Sequence, residues 1–154
     1  MSQRQQQLLD EMQTARVELD ETASALVAAG RLDADLGDGW RVRDVIAHIA
    51  LWERVADKKL SGAELPYGSD LAAMKPWNLN TFNEGLRERL RTLTDDELLA
   101  EYHAAYAALR ETVANADEDA CAPDGRAYRA IGEDSGGHYP AHLPALRAAL
   151  ETER

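Results

Sequence analysis

One cysteine, one phenylalanine, three lysines and three isoleucines in 154 residues rule out several kinds of protein. Cys121 has no partner for an internal disulfide, so the chain is not a small disulfide scaffold, and a reducing compartment suits it. Six valines and three isoleucines stand against 27 alanines and 20 leucines. β-Branched residues favour strands, and Ala and Leu favour helices, so a mostly β fold is excluded. No apolar run approaches the ~20 residues that cross a bilayer, and the opening MSQRQQQLLDEM has no signal-peptide core. The expectation is a soluble, cytoplasmic protein with no membrane partner. Basic residues are also scarce: 17 against 28 acidic ones, a net charge of −11. Such a chain repels phosphate backbones, so nucleic-acid binding through a general basic surface is not expected.

Apolar residues make up 45% of the chain, too many for a disordered one. The length fits one domain, 1–154, which buries roughly 68–70% of its unfolded surface without needing a metal or disulfide to fold. Residues 2–29 read as one long helix. Leu8, Met12, Ala15, Leu19, Thr22 and Leu26 recur at three- and four-residue steps, Ser2 suits its N-cap, and Gly30 suits the left-handed position past its end.

Trp40 opens a second helix over 42–60, with Val42, Val45, Ile46, Ile49, Ala56 and Leu60 on its buried stripe and Asp44 at its positive end. Ser61-Gly62 ends it, and a long connection over 62–77 leads to a short helix at 80–91. Thr94-Asp95-Asp96-Glu97 is a capping box that starts a third long helix, running to 116. Its stripe is Leu98, Tyr102, Ala105, Leu109 and Thr112. A loop at 117–125 precedes a last helix at 127–150, striped by Ile131, Ser135, His138, His142, Ala145 and Ala149. Gly136-Gly137, Pro140 and Pro144 interrupt it, so the expectation is a kinked or late-starting helix. The sum is an all-α four-helix bundle with an extra short helix in the crossover between the second and third long helices. That crossover exceeds thirty residues, long enough to make those two helices parallel and the order up-down-down-up.

Chemistry concentrates in the histidines. His138 and His142 are four residues apart, which on a helix places both imidazoles on one face, a chelating pair for a divalent metal. A stable site wants a third ligand, and His48, mid-helix among Ile46, Ala47, Ile49 and Ala50, is the natural one; the plainer alternative is a satisfied core histidine. His103 reads as a flank residue. Cys121 has no basic neighbour to activate it and reads as a small apolar residue. Trp52 and Trp77 read as core residues or pocket walls. Glu53 follows the histidine-bearing turn and is a weak candidate for a general base or a ligand-orienting carboxylate. Asn83 is a candidate to bond a ligand or to hold the short helix.

The run Gly39-Trp40-Arg41-Val42-Arg43-Asp44-Val45-Ile46-Ala47-His48-Ile49-Ala50-Leu51-Trp52-Glu53 resembles the Trp-entered second helix of the DinB/YfiT-like superfamily. The His138-x-x-x-His142 pair is similar to the pair on that family's last helix, and Phe82-Asn83-Glu84 to its intervening short helix. The likeness covers nearly the whole chain. Arg41 stands where the family often has Ser or Thr after the Trp, and the glycines and Pro140 around His138 depart from a regular helix.

The resemblance implies an up-down-down-up bundle whose His48, His138 and His142 bind a divalent transition metal, zinc or nickel first. It also implies an enzyme, a transferase that uses a low-molecular-weight thiol such as bacillithiol or mycothiol as a metal-activated thiolate. The alternatives are metal-dependent hydrolysis of a small ester or amide, and a non-catalytic, stress-related metal- or ligand-binding module. The partner expected is a small molecule, with a homodimer as the expected assembly.

Overall fold

The computed structural model describes residues 1–65 and 79–152. The chain is an all-α helical bundle. Helix α1 spans Gln3–Ala28, α2 Val42–Ser61, α3 Leu79–Leu90, α4 Asp95–Asn115, α5 Arg126–Asp134 and α6 Leu143–Glu151. A two-stranded antiparallel ribbon, β1 (Asp35–Gly37) and β2 (Trp40–Arg41), joins α1 to α2. The connection after α2 falls mainly outside the described residues, and Trp77 with it.

Local chemistry sets the helix ends. Ser2 caps α1 by accepting from the Gln5 amide, and the Gln5 side chain accepts from the Ser2 amide. Past its end, Gly30 adopts φ 66°, the Gly30 amide bonds the Val27 carbonyl, and the Arg31 amide bonds the Leu26 carbonyl. That is the Schellman closure, which a residue without a Cβ adopts without strain. Thr94 and Glu97 form the reciprocal cap of α4.

Helix α2 begins two residues later than Trp40, which lies in β2, and Arg41 is its N-cap. The Asp44 carboxylate accepts from the Arg41 amide at 2.9 Å and from Arg91, just past the end of α3, at 3.0 and 3.1 Å. Burial would push this carboxyl up, but these bonds outweigh it and hold Asp44 below the usual carboxylate range.

The last expected helix is three pieces: α5, a single 3-10 turn over Tyr139–Ala141, and α6. The reason lies in the glycines. At Gly137 the chain packs so closely that a Cβ would stand 1.9 Å from the Gly132 carbonyl oxygen. Both prolines then start something instead of interrupting it. Pro140 sits in the opening of the 3-10 turn and Pro144 in the first turn of α6, where their missing amides have no helical partner to lose. The break also shifts the helical phase. Leu143, Leu146 and Ala149 are buried on α6, while Ala145, expected inside, is exposed. On α2 and α4, Leu60 and Thr112 are only half-buried, and Val113 takes the interior position beside Thr112.

Helix α2 packs on α4, α5 and α3, and α1 packs on α4 and α6. Two apolar clusters result. One gathers Leu19, Leu26, Ile46, Ile49, Leu98 and Leu146; the other gathers Leu8, Met12, Ala56, Leu109, Val113 and Ile131. Along α1, Arg16 falls between the two, as Glu53 does along α2. Both are fully buried.

Leu109 is fully buried among Leu8, Met12 and Val113. Leu109→Ala is expected to cost about 2–5 kcal/mol, the range for a leucine-sized cavity. Thr94→Ala, which removes only a cap, is expected to cost about 1 kcal/mol. Urea unfolding of both variants beside the wild type checks that order, and equal costs would contradict the packing described.

Candidate metal centre

Three imidazoles come together from two parts of the chain. His48 lies in the second turn of α2, held there by the buried Val45, Ile46 and Ile49. His138 and His142 bracket the 3-10 turn. Their four-residue spacing therefore acts across a tight turn and not along one helix face. The His138 Nε2 atom stands 3.4 Å from Nε2 of His48 and 2.9 Å from Nε2 of His142. One ring nitrogen from each of the three lies within 4.8 Å of the others, so the trio can hold a metal ion.

This arrangement is poorly satisfied by hydrogen bonds alone. A neutral imidazole has one N–H and one lone pair. Nε2 of His138 meets two other Nε2 atoms, while its Nδ1 is buried without a partner among the described residues. If Nδ1 holds the proton, a buried donor is orphaned. If Nε2 holds it, that one hydrogen serves only one of its two neighbours. A cation among the three Nε2 atoms uses all three lone pairs; it requires the Nδ1–H tautomer, whose hydrogen on His138 has no partner among the described residues. Nitrogen ligands about 2.0–2.1 Å from a tetrahedral ion stand about 3.4 Å apart, close to the spacings seen.

The electrostatics keep the lone pairs available. Burial, reinforced by the neighbouring His142 and His138, pushes His48 down to about 3. Burial with His142 beside it pushes His138 down to about 4, and burial lowers His142 too. All three rings are neutral at neutral pH, the form that binds a metal.

Aromatic rings flank the trio. Trp40 meets His48 edge-on with centroids 5.8 Å apart. Trp52 stands 6.1 Å from His48 and 6.2 Å from His138. Trp52 is thus a core residue, packed with Val55 and Leu65, and also a wall of the histidine site. Trp40 carries the guanidinium of Arg87 over its ring at 5.0 Å. Sequence reasoning saw Trp40 only as a helix start; its position eight residues before His48 was the available signal. Asn83, on α3, is half-buried, and its Oδ1 atom has no partner among the described residues.

The remaining candidates stand apart. His103 is exposed on α4 beside Tyr102. Cys121 is buried in the other apolar cluster, and burial raises its thiol. The Glu53 carboxylate is fully buried, accepting from Arg16 at 2.7 Å, from Ser135 at 3.3 Å and from the Tyr139 hydroxyl. Burial pushes this carboxyl up, against Arg16 and the hydrogen bonds. Arg16, its buried partner, went unnoticed in the sequence because a charged residue on an apolar stripe reads as a flank.

An all-helical bundle with three histidines gathered from α2 and the last segment places the chain in the DinB/YfiT-like superfamily. Within it, the chain belongs to the mycothiol maleylpyruvate isomerase N-terminal domain family, whose profile matches residues 12–142. Searches of the curated proteins and of the solved structures gave no match. The family and the cluster together point to a divalent-metal site.

The depressed histidines make a pH prediction for the metal-free protein. The unfolded chain takes up protons near the ordinary histidine value of about 6.5, whereas the folded rings resist them. The stability they contribute is full above about pH 6.5 and is lost as pH falls toward the folded values. Thermal melts between about pH 7.5 and 4.5 should show a falling midpoint, with a shallower fall in His48→Gln. A wild-type midpoint independent of pH would contradict buried neutral rings.

Proposed function

We propose that His48, His138 and His142 ligate a divalent transition metal, zinc or nickel, and that the protein is a thiol-dependent transferase acting on a small molecule in the cytoplasm. The observation that carries this reading is the convergence of the three imidazoles, with Nε2 of His138 3.4 Å from that of His48 and 2.9 Å from that of His142. Three histidine ligands leave coordination positions open for a thiol or water. A divalent ion held there supplies Lewis acidity, which lowers the pKa of a bound thiol.

The chain's own residues supply the rest. The histidines stay unprotonated because burial disfavours their charged forms. Trp40 and Trp52 line the trio with apolar surface, which weakens competition from water for a sulfur ligand. No protein nucleophile is needed, and Cys121 is unsuited to be one, since burial disfavours its thiolate. In the reaction the thiol loses its proton to solvent, its sulfur electron pair bonds an electrophilic carbon of the second substrate, and the bond from that carbon to its leaving group breaks, the leaving group departing with the bonding pair and taking a proton from solvent. The family's name supports a thiol of the mycothiol kind as cosubstrate.

Metal content by elemental mass spectrometry tests the ligand set. Tag-free wild type loaded with zinc or nickel should carry close to one ion per chain, and His142→Ala should lose it. Absence of metal from the loaded wild type would remove the mechanism. Cobalt substitution tests the thiol. Adding a small thiol should change the visible spectrum through a new sulfur ligand; an unchanged spectrum would favour hydrolysis or a non-catalytic binding role.

A further inference from the structure

The turn that carries two of the three histidines has little regular helix to hold it. Between Asp134 and Leu143 the backbone makes one 3-10 turn, closed by bonds such as Ala141 amide to His138 carbonyl and His142 amide to Tyr139 carbonyl. Prolines and glycines limit what the main chain can add there. Yet the middle of this turn is the most firmly anchored part of the segment. Tyr139, next in sequence to His138, is 1% exposed. Its hydroxyl bonds Glu53, lies 3.1 Å from the Ser135 hydroxyl, and accepts from Arg16 at 3.1 Å.

Each of those partners is tied elsewhere. Glu53 lies on α2, five residues after His48, on the same rigid helix. Arg16 lies on α1 and also donates to Asp20 at 2.8 Å and to the Tyr102 carbonyl at 3.2 Å. Its guanidinium stacks 4.0 Å above the Tyr102 ring and 4.3 Å above that of Tyr106. Tyr102 donates to the same Asp20 carboxylate at 2.7 Å. One phenol therefore fixes the histidine turn to α2 directly, and to α1 and α4 through Arg16.

We propose that Tyr139 and Glu53 are positioning residues for the histidine centre: their hydrogen bond, locked by Arg16 and Ser135, sets the distance between His48 and the His138/His142 turn. This rests on the three-histidine reading above. It also assigns Glu53 a role other than proton transfer. All three donors meet Oε1, and Oε2 is buried with no partner among the described residues; a carboxylate with no exposed surface orients the turn and does not relay protons to substrate. Outer partners that orient metal ligands govern metal affinity, typically by ten- to a hundredfold.

The decisive variant is Tyr139→Phe, which removes one oxygen and keeps the ring in the core. Thr112→Val is the control, since it removes the hydrogen bond that the half-buried Thr112 hydroxyl donates to Asp57 of α2, among residues that line a different groove. Zinc affinity is read by competition with a chromophoric chelator. Hydrogen–deuterium exchange of the metal-free proteins is read over residues 135–143.

Tyr139→Phe should bind zinc about ten- to a hundredfold more weakly and exchange faster over that segment, with Thr112→Val unchanged in both. Glu53→Gln should weaken zinc binding in the same direction. Wild-type zinc affinity in Tyr139→Phe, or equal weakening in Thr112→Val, overturns the proposal, and wild-type affinity in Glu53→Gln overturns the share assigned to Glu53. If wild type itself binds no zinc, the three-histidine reading fails separately. The exchange comparison in the metal-free proteins then decides alone whether the network orders the turn.

Discussion

The buried ion pair between Arg16 and Glu53 is the constraint around which this bundle is arranged. Both side chains are fully buried at a 2.7 Å contact, where an unpaired charge of either sign is severely penalised. Around them stand the Tyr102 carbonyl, Asp20, Ser135, Tyr139 and the aromatic faces of Tyr102 and Tyr106, while Glu53 Oε2 has no partner among the described residues. Such a pair adds little net stability compared with a packed apolar alternative, because desolvation offsets most of the attraction. Its contribution is to register. The two apolar clusters on either side can slide by a methyl group at small cost, whereas a forked guanidinium with four assigned acceptors cannot. α1, α2, α4 and the segment after α5 are thus brought into one alignment at the level where Tyr139 leaves for the histidines.

The histidine trio sits at the edge of that ordered layer and shows the opposite economy. Its rings have more nitrogen lone pairs facing inward than hydrogen atoms to share. The protein holds them together through packing by Trp40, Trp52 and the apolar stripe of α2, not through their own bonds. Such a cluster is a set of acceptors that the protein's own donors do not fully satisfy. On the ligand set proposed above, this framework would leave little ordering to be done when a cation binds.

Much of this was legible in the residues. The Ser2 and Thr94 caps, Gly30 and the alanine-leucine stripes marked α1, α2 and α4 to within a residue or two, because their signals are local. The His138/His142 pair stood out by spacing, and His48 joined it through its place in the middle of the second helix and the family resemblance. Three things were not legible. The ribbon at Asp35–Gly37 is too short to leave an alternating pattern. The break in the last helix depends on Gly137 approaching Gly132, a contact between two backbones that no periodicity reports. Arg16 belongs to a buried network whose other members lie 37, 86 and 123 residues away, so its burial is a tertiary fact. The glycines and prolines were correctly suspected of spoiling a continuous helix; the spoiled helix is what brings the histidines to a point.

Gly137 bears on how this site can drift through descent. The contact at 1.9 Å leaves no room for even a methyl group, so any substitution there moves the segment that carries both distal imidazoles. A related chain could keep all three histidines and still lose their convergence by replacing this one hydrogen. The glycine one residue before the first histidine of the pair is therefore as strict a condition for the convergence as the spacing of the pair itself. Its replacement would carry the turn away from His48 even where every imidazole is kept.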